Sequence, residues 1–234
     1  MIEYKGRSNN SGFTLAEVLM SISVLTVAFA ALAGLILSAL RANQANINNF
    51  LAYGLAEEGI EAFRNIRDSH WLSNFSWTGY SENVGLSFNP SSPFEHDTCS
   101  FQQENISFYR IFFNPDYKPV GENMNFNPWM LQCLDFDPRN FENLQASDLE
   151  KLSLYQHILF KGTEREIVQY LVGKTDADDT KSKFFRYIMV EFFPLEGKDN
   201  ALARIQSIVQ WNERGRTRKL SLEMFLTDWK GSLL

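Results

Sequence analysis

The residues best suited to chemistry lie near the start of the chain, where Gly12, Phe13 and Glu17 precede a long apolar run. Glu17 is the only ionisable residue between Phe13 and Leu40. A charged side chain within a bilayer costs on the order of 2.5–3.5 kcal/mol, so such a residue usually has a partner. The carboxylate of Glu17 therefore requires an explanation, and so does the glycine that stands shortly before it.

One explanation for Glu17 is local. Thr14 and Glu17 fit a capping box, in which a threonine caps a helix N-terminus and a glutamate three residues later reaches back to it. A capping box explains these two residues. It does not explain Gly12 and Phe13, or the polar leader MIEYKGRSNNSG with its basic charges.

The run that follows Glu17 is long enough to cross a membrane. The 23 residues from Val18 to Leu40 carry no charge and no proline. As a helix they would be about 35 Å long, against a hydrocarbon core of about 30 Å. Lys5 and Arg7 precede the run, and the positive-inside rule predicts that they hold the N-terminus in the cytoplasm.

The segment GFTLAEV, residues 12–18, followed by an apolar helix, resembles the class III signal of type IV prepilins and type II secretion pseudopilins. The resemblance implies that a prepilin peptidase in the membrane cuts after Gly12 and that the new amine of Phe13 is methylated. It also implies that Glu17 acts in assembly with other pilin or pseudopilin subunits. Residues 1–12 would then be a cytoplasmic leader, 13–40 a transmembrane assembly helix and 41–234 an extracytoplasmic head.

Cleavage after Gly12 would give Glu17 a counter-ion. It creates a cationic amine at Phe13, about one helical turn from Glu17, on the same chain or on a neighbouring subunit. Two charges that are each costly in lipid lower each other's cost when they pair. A pair between subunits would also fix the axial register of a bundle of helices.

A competing interpretation is an ordinary secretory signal. Ala28-Phe29-Ala30 and Ala31-Leu32-Ala33 both fit an Ala-x-Ala cleavage site. The product would be an exported or membrane-tethered domain that does not polymerise and binds a ligand through the loops of residues 72–145. The mature N-terminus distinguishes the two interpretations, since it would be Phe13 in the first and Gly34 in the second.

The rest of the chain predicts an α+β, pilin-like fold. Apolar residues at helical spacing extend the first helix through residues 41–70 as an amphipathic half, to about Ser69. Residues 72–145 are rich in turn signals and form a variable region with one strand at 106–113. Strands at 184–193, 203–211 and 219–227 form an antiparallel sheet within residues 184–229, and the amphipathic half of the helix is expected to cover its apolar face.

Other candidate sites are weak. Cys99 and Cys133 could form a disulfide in an oxidising compartment. Asp176, Asp178 and Asp179 are weak candidates for calcium, because no glutamate stands at EF-hand spacing. No metal or cofactor motif is complete, and none indicates an enzyme. The net charge of −6 argues against nucleic acid as a partner. The sequence predicts a structural subunit, of the minor rather than the bulk class, in a type IV pilus or a secretion pseudopilus at the cytoplasmic membrane.

Overall fold

A long helix and an antiparallel sheet make up the described part of the protein. The computed structural model describes residues 12–72, 106–113, 129–161, 166–173, 179–195 and 198–227. The helices are α1 (Leu15–Leu72) and α2 (Ala146–Leu152), with a 3-10 turn at Phe141–Asn143. The strands are β1 (Ile106–Phe113), β2 (Trp129–Cys133), β3 (Ser153–Lys161), β4 (Glu166–Val172), β5 (Thr180–Leu195), β6 (Lys198–Glu213) and β7 (Arg216–Thr227). The chain divides into two compact units, Met1–Asn48 and Asn49–Leu234.

The described strands form one seven-stranded antiparallel sheet organised around β5. One edge of β5 pairs first with β3 and then with β1. β3 pairs in turn with β4, and β1 pairs with β2. The other edge pairs with β6 over almost its whole length, and β6 pairs in turn with β7. The last three strands are thus a meander with short connections, as the sequence predicts.

The two faces of the sheet bury different cores because successive side chains of a strand point to opposite sides. On β5, Phe184, Ile188 and Val190 face the second unit's part of α1. Tyr187 and Met189 face the other way, onto a cluster that includes Leu134 and Leu152. The segment that leads through α2 therefore covers the face that the helix does not.

The part of α1 in the second unit carries a one-sided apolar stripe at a spacing of three to four residues. Its members lie at most 7% exposed: Ala52, Leu55, Ala56, Ile60, Ala62, Phe63 and Ile66. They pack on residues of β1, β5, β6 and β7. The predicted α+β, pilin-like fold, with its long N-terminal helix and C-terminal antiparallel sheet, is confirmed.

Helix and sheet approach closely at Gly59. A Cβ atom there would lie 2.4 Å from Ser207 Oγ and 3.1 Å from Ile188 Cδ1. Glycine is therefore the residue that lets α1 lie against β5 and β6 at this depth. From sequence alone a glycine within a helix is simply a weak helix former, so the packing role of Gly59 becomes visible only in the structure.

Several elements differ from the sequence prediction. β2 lies within the region expected to be irregular, and β5 begins at Thr180 rather than at residue 184. β6 begins at Lys198 rather than at residue 203. α1 continues to Leu72. Residues 147–170, where the sequence favours no single element, contain most of α2, all of β3 and part of β4.

Candidate processing and anchoring site

The first turn of α1 positions Glu17 through a reciprocal capping box. The Thr14 amide donates to Glu17 Oε2 at 2.9 Å, and the Thr14 hydroxyl lies 3.1 Å from the same oxygen. In return the Glu17 amide donates to Thr14 Oγ1 at 3.3 Å. These bonds satisfy amides that a helix start leaves unpaired. Among the described residues, nothing hydrogen-bonds to the other carboxylate oxygen of Glu17.

Gly12 and Phe13 lie just ahead of this capped turn and are open to the surroundings. Phe13 is 88% exposed. A Cβ placed on Gly12 would meet no described atom within 4 Å, and Gly12 does not have a positive φ. Neither packing against the described residues nor backbone conformation therefore requires glycine at position 12. The bond between these two residues, the predicted cleavage site, is sterically accessible.

The apolar stretch after Glu17 suits a lipid environment. α1 is the one helix of the described part that is long and apolar enough to cross a membrane, and its most apolar stretch has no buried residue. Three of its polar side chains bond within the helix: the hydroxyls of Ser21, Ser23 and Thr26 each donate at 2.8 Å to a carbonyl three or four residues earlier. Such bonds reduce the cost of burying hydroxyls in lipid.

Large apolar side chains surround this stretch on every side. Those more than half exposed include Leu19, Met20, Ile22, Val24, Leu25, Val27, Phe29, Leu32, Leu35, Ile36, Leu37 and Leu40. A helix that is apolar all round is normally buried, in a large core or in a membrane. The length and composition of α1 are those of a membrane anchor, as the sequence predicts.

The remaining predicted site residues do not form a site in the described part of the chain. Cys133 ends β2 and is not a free thiol, whereas Cys99 lies outside the described residues. Their pairing stays a prediction. Asp179 is 9% exposed, and Asp176 and Asp178 lie outside the described residues, so the calcium prediction stays untested. The described residues contain no cluster of three or more His, Cys, Asp or Glu that could hold a metal ion.

Sequence analysis missed one buried cation. Arg186, on β5, is 1% exposed and points toward α1. Its Nη1 donates to the Leu55 carbonyl at 3.0 Å and to Glu58 Oε1 at 3.1 Å, and its Nη2 donates to the Ile111 carbonyl at 3.4 Å. Strand alternation was the available sequence signal, because it places Arg186 on the same side of β5 as the apolar residues Phe184 and Ile188. Its contacts are with the protein itself, so its role is structural.

A comparison with protein families identifies the class of signal at this site. Residues 7–33 match the family described as the prokaryotic N-terminal methylation motif. The chain therefore carries the class III signal of type IV prepilin-like proteins, and this signal indicates a structural protein rather than an enzyme. Searches of curated proteins and of solved structures found no match to the chain.

Proposed function

We propose that the protein is a structural subunit, of the minor class, of a type IV pilus or a type II secretion pseudopilus. In this proposal a prepilin peptidase cuts after Gly12 and methylates Phe13. The mature chain is then held in the cytoplasmic membrane by residues 13–40, with its N-terminus on the cytoplasmic side and its head outside. Assembly moves the helix from lipid into a bundle of like helices. The observation that carries the proposal is the methylation motif at residues 7–33 on a helix of membrane-spanning length.

The geometry of the capped turn supports a counter-ion role for Glu17. The amide of Thr14 lies 2.9 Å from Glu17 Oε2, and the nitrogen of Phe13 is the next one along the backbone. A cationic amine at Phe13 is thus within short reach of the carboxylate. One oxygen of Glu17 caps the helix, which leaves the other for the amine of the same chain or of a neighbour. The capping role and the counter-ion role are compatible.

Processing is tested by the mass of the N-terminal peptide of protein purified from its native cells. The proposal expects a peptide that begins at Phe13, with the added mass of a methyl group. A Gly12→Leu change should leave the leader attached, because a side chain then obstructs the peptidase. A native chain that begins at Met1 or at Gly34 would refute the proposal, and Gly34 would indicate a secretory signal peptidase instead.

Assembly is tested with two Glu17 variants compared in sheared filament fractions. Glu17→Val removes both the charge and the cap. Glu17→Gln keeps an oxygen that can accept the Thr14 hydrogen bonds but removes the charge. Both variants should remain in the membrane and be lost from filaments, because neither neutralises the amine. Normal incorporation of Glu17→Gln would show that the hydrogen bond suffices and would refute the counter-ion role.

A further inference from the structure

An exposed basic hairpin stands out in this acidic protein. Residues 212–219 comprise the end of β6, the turn and the start of β7. They contain Arg214, Arg216, Arg218 and Lys219, with Glu213 as the one acidic residue. Arg218 Nε lies 3.4 Å from Glu213 Oε2, and the other three cations make no ion pair with any described residue. The hairpin therefore carries a net positive charge of three, in a chain whose net charge is −6.

The backbone of the hairpin is fixed by its turn geometry and by the strand pairing on both sides of the turn. Arg214 and Gly215 form a two-residue turn with φ values of 53° and 75°, the geometry that matches the twist of paired strands. The Gly215 amide donates to Asn212 Oδ1 at 3.0 Å, and pairing continues from Glu213 with Arg216 down the ladder. The four cations are all exposed. The turn holds them in place without burying any of them.

Packing places the hairpin at the end of the second unit where the chain enters it. Trp211 and Leu220, at the base of the hairpin, share one apolar cluster with Leu51 and Ala52. That unit begins at Asn49.

Two exposed aromatic residues lie at the same end of the unit. Phe50 is 80% exposed and Tyr53 is 48% exposed, beside the cluster that holds the hairpin base. Aromatic and basic side chains together are the composition that anchors proteins at the boundary between lipid and water. Exposed charge and exposed aromatic side chains therefore occur at the same end of the second unit.

We propose that the basic hairpin docks the head of a single, unassembled copy on the anionic headgroups of the membrane that anchors it. The guanidinium groups bind lipid phosphates, and the anchor supplies the high effective concentration that a patch of only four cations needs. Duplex nucleic acid is the less favoured partner, because it calls for an extended basic face and the chain as a whole is acidic. The inference rests on the proposed membrane anchoring, and it predicts that assembly must detach the head from lipid.

The test uses the full chain in lipid nanodiscs, which expose every head to a protease. Discs of phosphatidylcholine alone are compared with discs that also contain phosphatidylglycerol, and the readout is the rate of trypsin cleavage after Lys219. Each basic residue at an anionic surface favours docking about fivefold. Cleavage should therefore be much slower in the anionic discs, and high salt should restore the rate found in neutral discs.

Matched double variants assign the protection to the hairpin. Arg214→Gln with Arg216→Gln keeps Lys219 as the reporter and should reduce the protection about 25-fold. Arg64→Gln with Lys151→Gln removes the same charge outside residues 212–219 and should keep the protection. Equal cleavage of both double variants in anionic discs would overturn the proposal.

Three further outcomes of the same experiment distinguish lipid docking from no docking, from nucleic-acid binding and from the absence of a membrane anchor. Equal cleavage of the unaltered chain in the two kinds of disc would refute docking while leaving the anchor intact. Protection by duplex DNA added to neutral discs, with none from phosphatidylglycerol, would overturn the proposal in favour of nucleic acid. Failure of the chain to co-elute with discs would refute the anchoring itself, and with it the proposed function.

Discussion

Gly59 provides a quantitative test of how closely the helix approaches the sheet. In the Gly59→Ala variant, the new methyl group would lie 2.4 Å from Ser207 Oγ and 3.3 Å from Ser207 Cβ. Ser207 is fully buried, so its side chain has little room to move away. Overpacking of this kind costs about 1–3 kcal/mol. Alanine also gains up to about 1 kcal/mol of helix propensity over glycine. We expect a net loss of about 1 kcal/mol in the free energy of unfolding.

Gly54 offers a matched control on the same helix. It is exposed, and a Cβ there would meet no described atom within 4 Å. Gly54→Ala should therefore gain the helix propensity, up to about 1 kcal/mol, without overpacking. Because both variants make the same change on one helix, the difference between them isolates the packing cost, about 1–3 kcal/mol.

The assay is urea unfolding of the full chain in mild detergent, followed by tryptophan fluorescence, since Trp211 lies 1% exposed in the helix–sheet core. Midpoints are compared at constant denaturant slope. Ser207→Ala in the Gly59→Ala background should recover part of the loss, because it removes the nearest atom. Equal stabilisation by Gly54→Ala and Gly59→Ala would refute the close approach of α1 to β6.

Two further predictions concern β5. Glu58→Ala should lower the free energy of unfolding by about 2 kcal/mol, because it removes a charged hydrogen-bond partner of Arg186. The same change should have little effect in an Arg186→Met background. Urea unfolding of the unaltered chain, the two single variants and the double variant measures this coupling. Burial raises the pKa of the Tyr187 hydroxyl above its ordinary value, and the nearby Asp137 charge adds to the rise. Above about pH 10 the unfolded chain loses this proton while the folded chain keeps it, so stability should fall as pH rises. Tyr187→Phe should flatten that fall, and an unchanged slope would contradict the assignment.

Elements with a local signal were predictable from sequence. Thr14 and Glu17 are three residues apart, so their capping box depends only on the geometry of one helical turn. In β7 the alternation of Leu220, Leu222 and Met224 indicates both the strand and its buried face. In both cases the residues that form the sequence pattern also make the contacts. Thr14 and Glu17 bond to each other, and the three apolar residues of β7 pack on the core from one face of the strand.

Strand boundaries were less predictable because pairing is a property of the backbone. Arg216 and Thr217 are polar and exposed, yet they pair with Glu213 and Asn212 and so extend β7 toward the turn. β2 has only five residues, too few for a period to distinguish a strand from an irregular segment. Its partner β1 supplies the ladder that makes it a strand.

Long-range polar contacts had no sequence signal of their own. Arg186 and Glu58 are 128 residues apart, and nothing in either segment specifies the other as its partner. The pairing exists because the helix-facing side of β5 meets the turn of α1 that contains Leu55. A buried arginine is tolerated there only because two backbone carbonyls and a carboxylate accept its hydrogen bonds.

Gly12, Gly54 and Gly59 differ in whether the fold requires a glycine. Gly59 has a reason within the fold, since any side chain there would meet Ser207 and Ile188. Gly12 has no such reason among the described residues, and neither has Gly54, so open space alone identifies nothing. What distinguishes Gly12 is its position within residues 7–33, the methylation motif, beside an exposed peptide bond. The proposed peptidase supplies a reason for Gly12 that the described fold does not, because glycine has no side chain to obstruct close approach to the backbone.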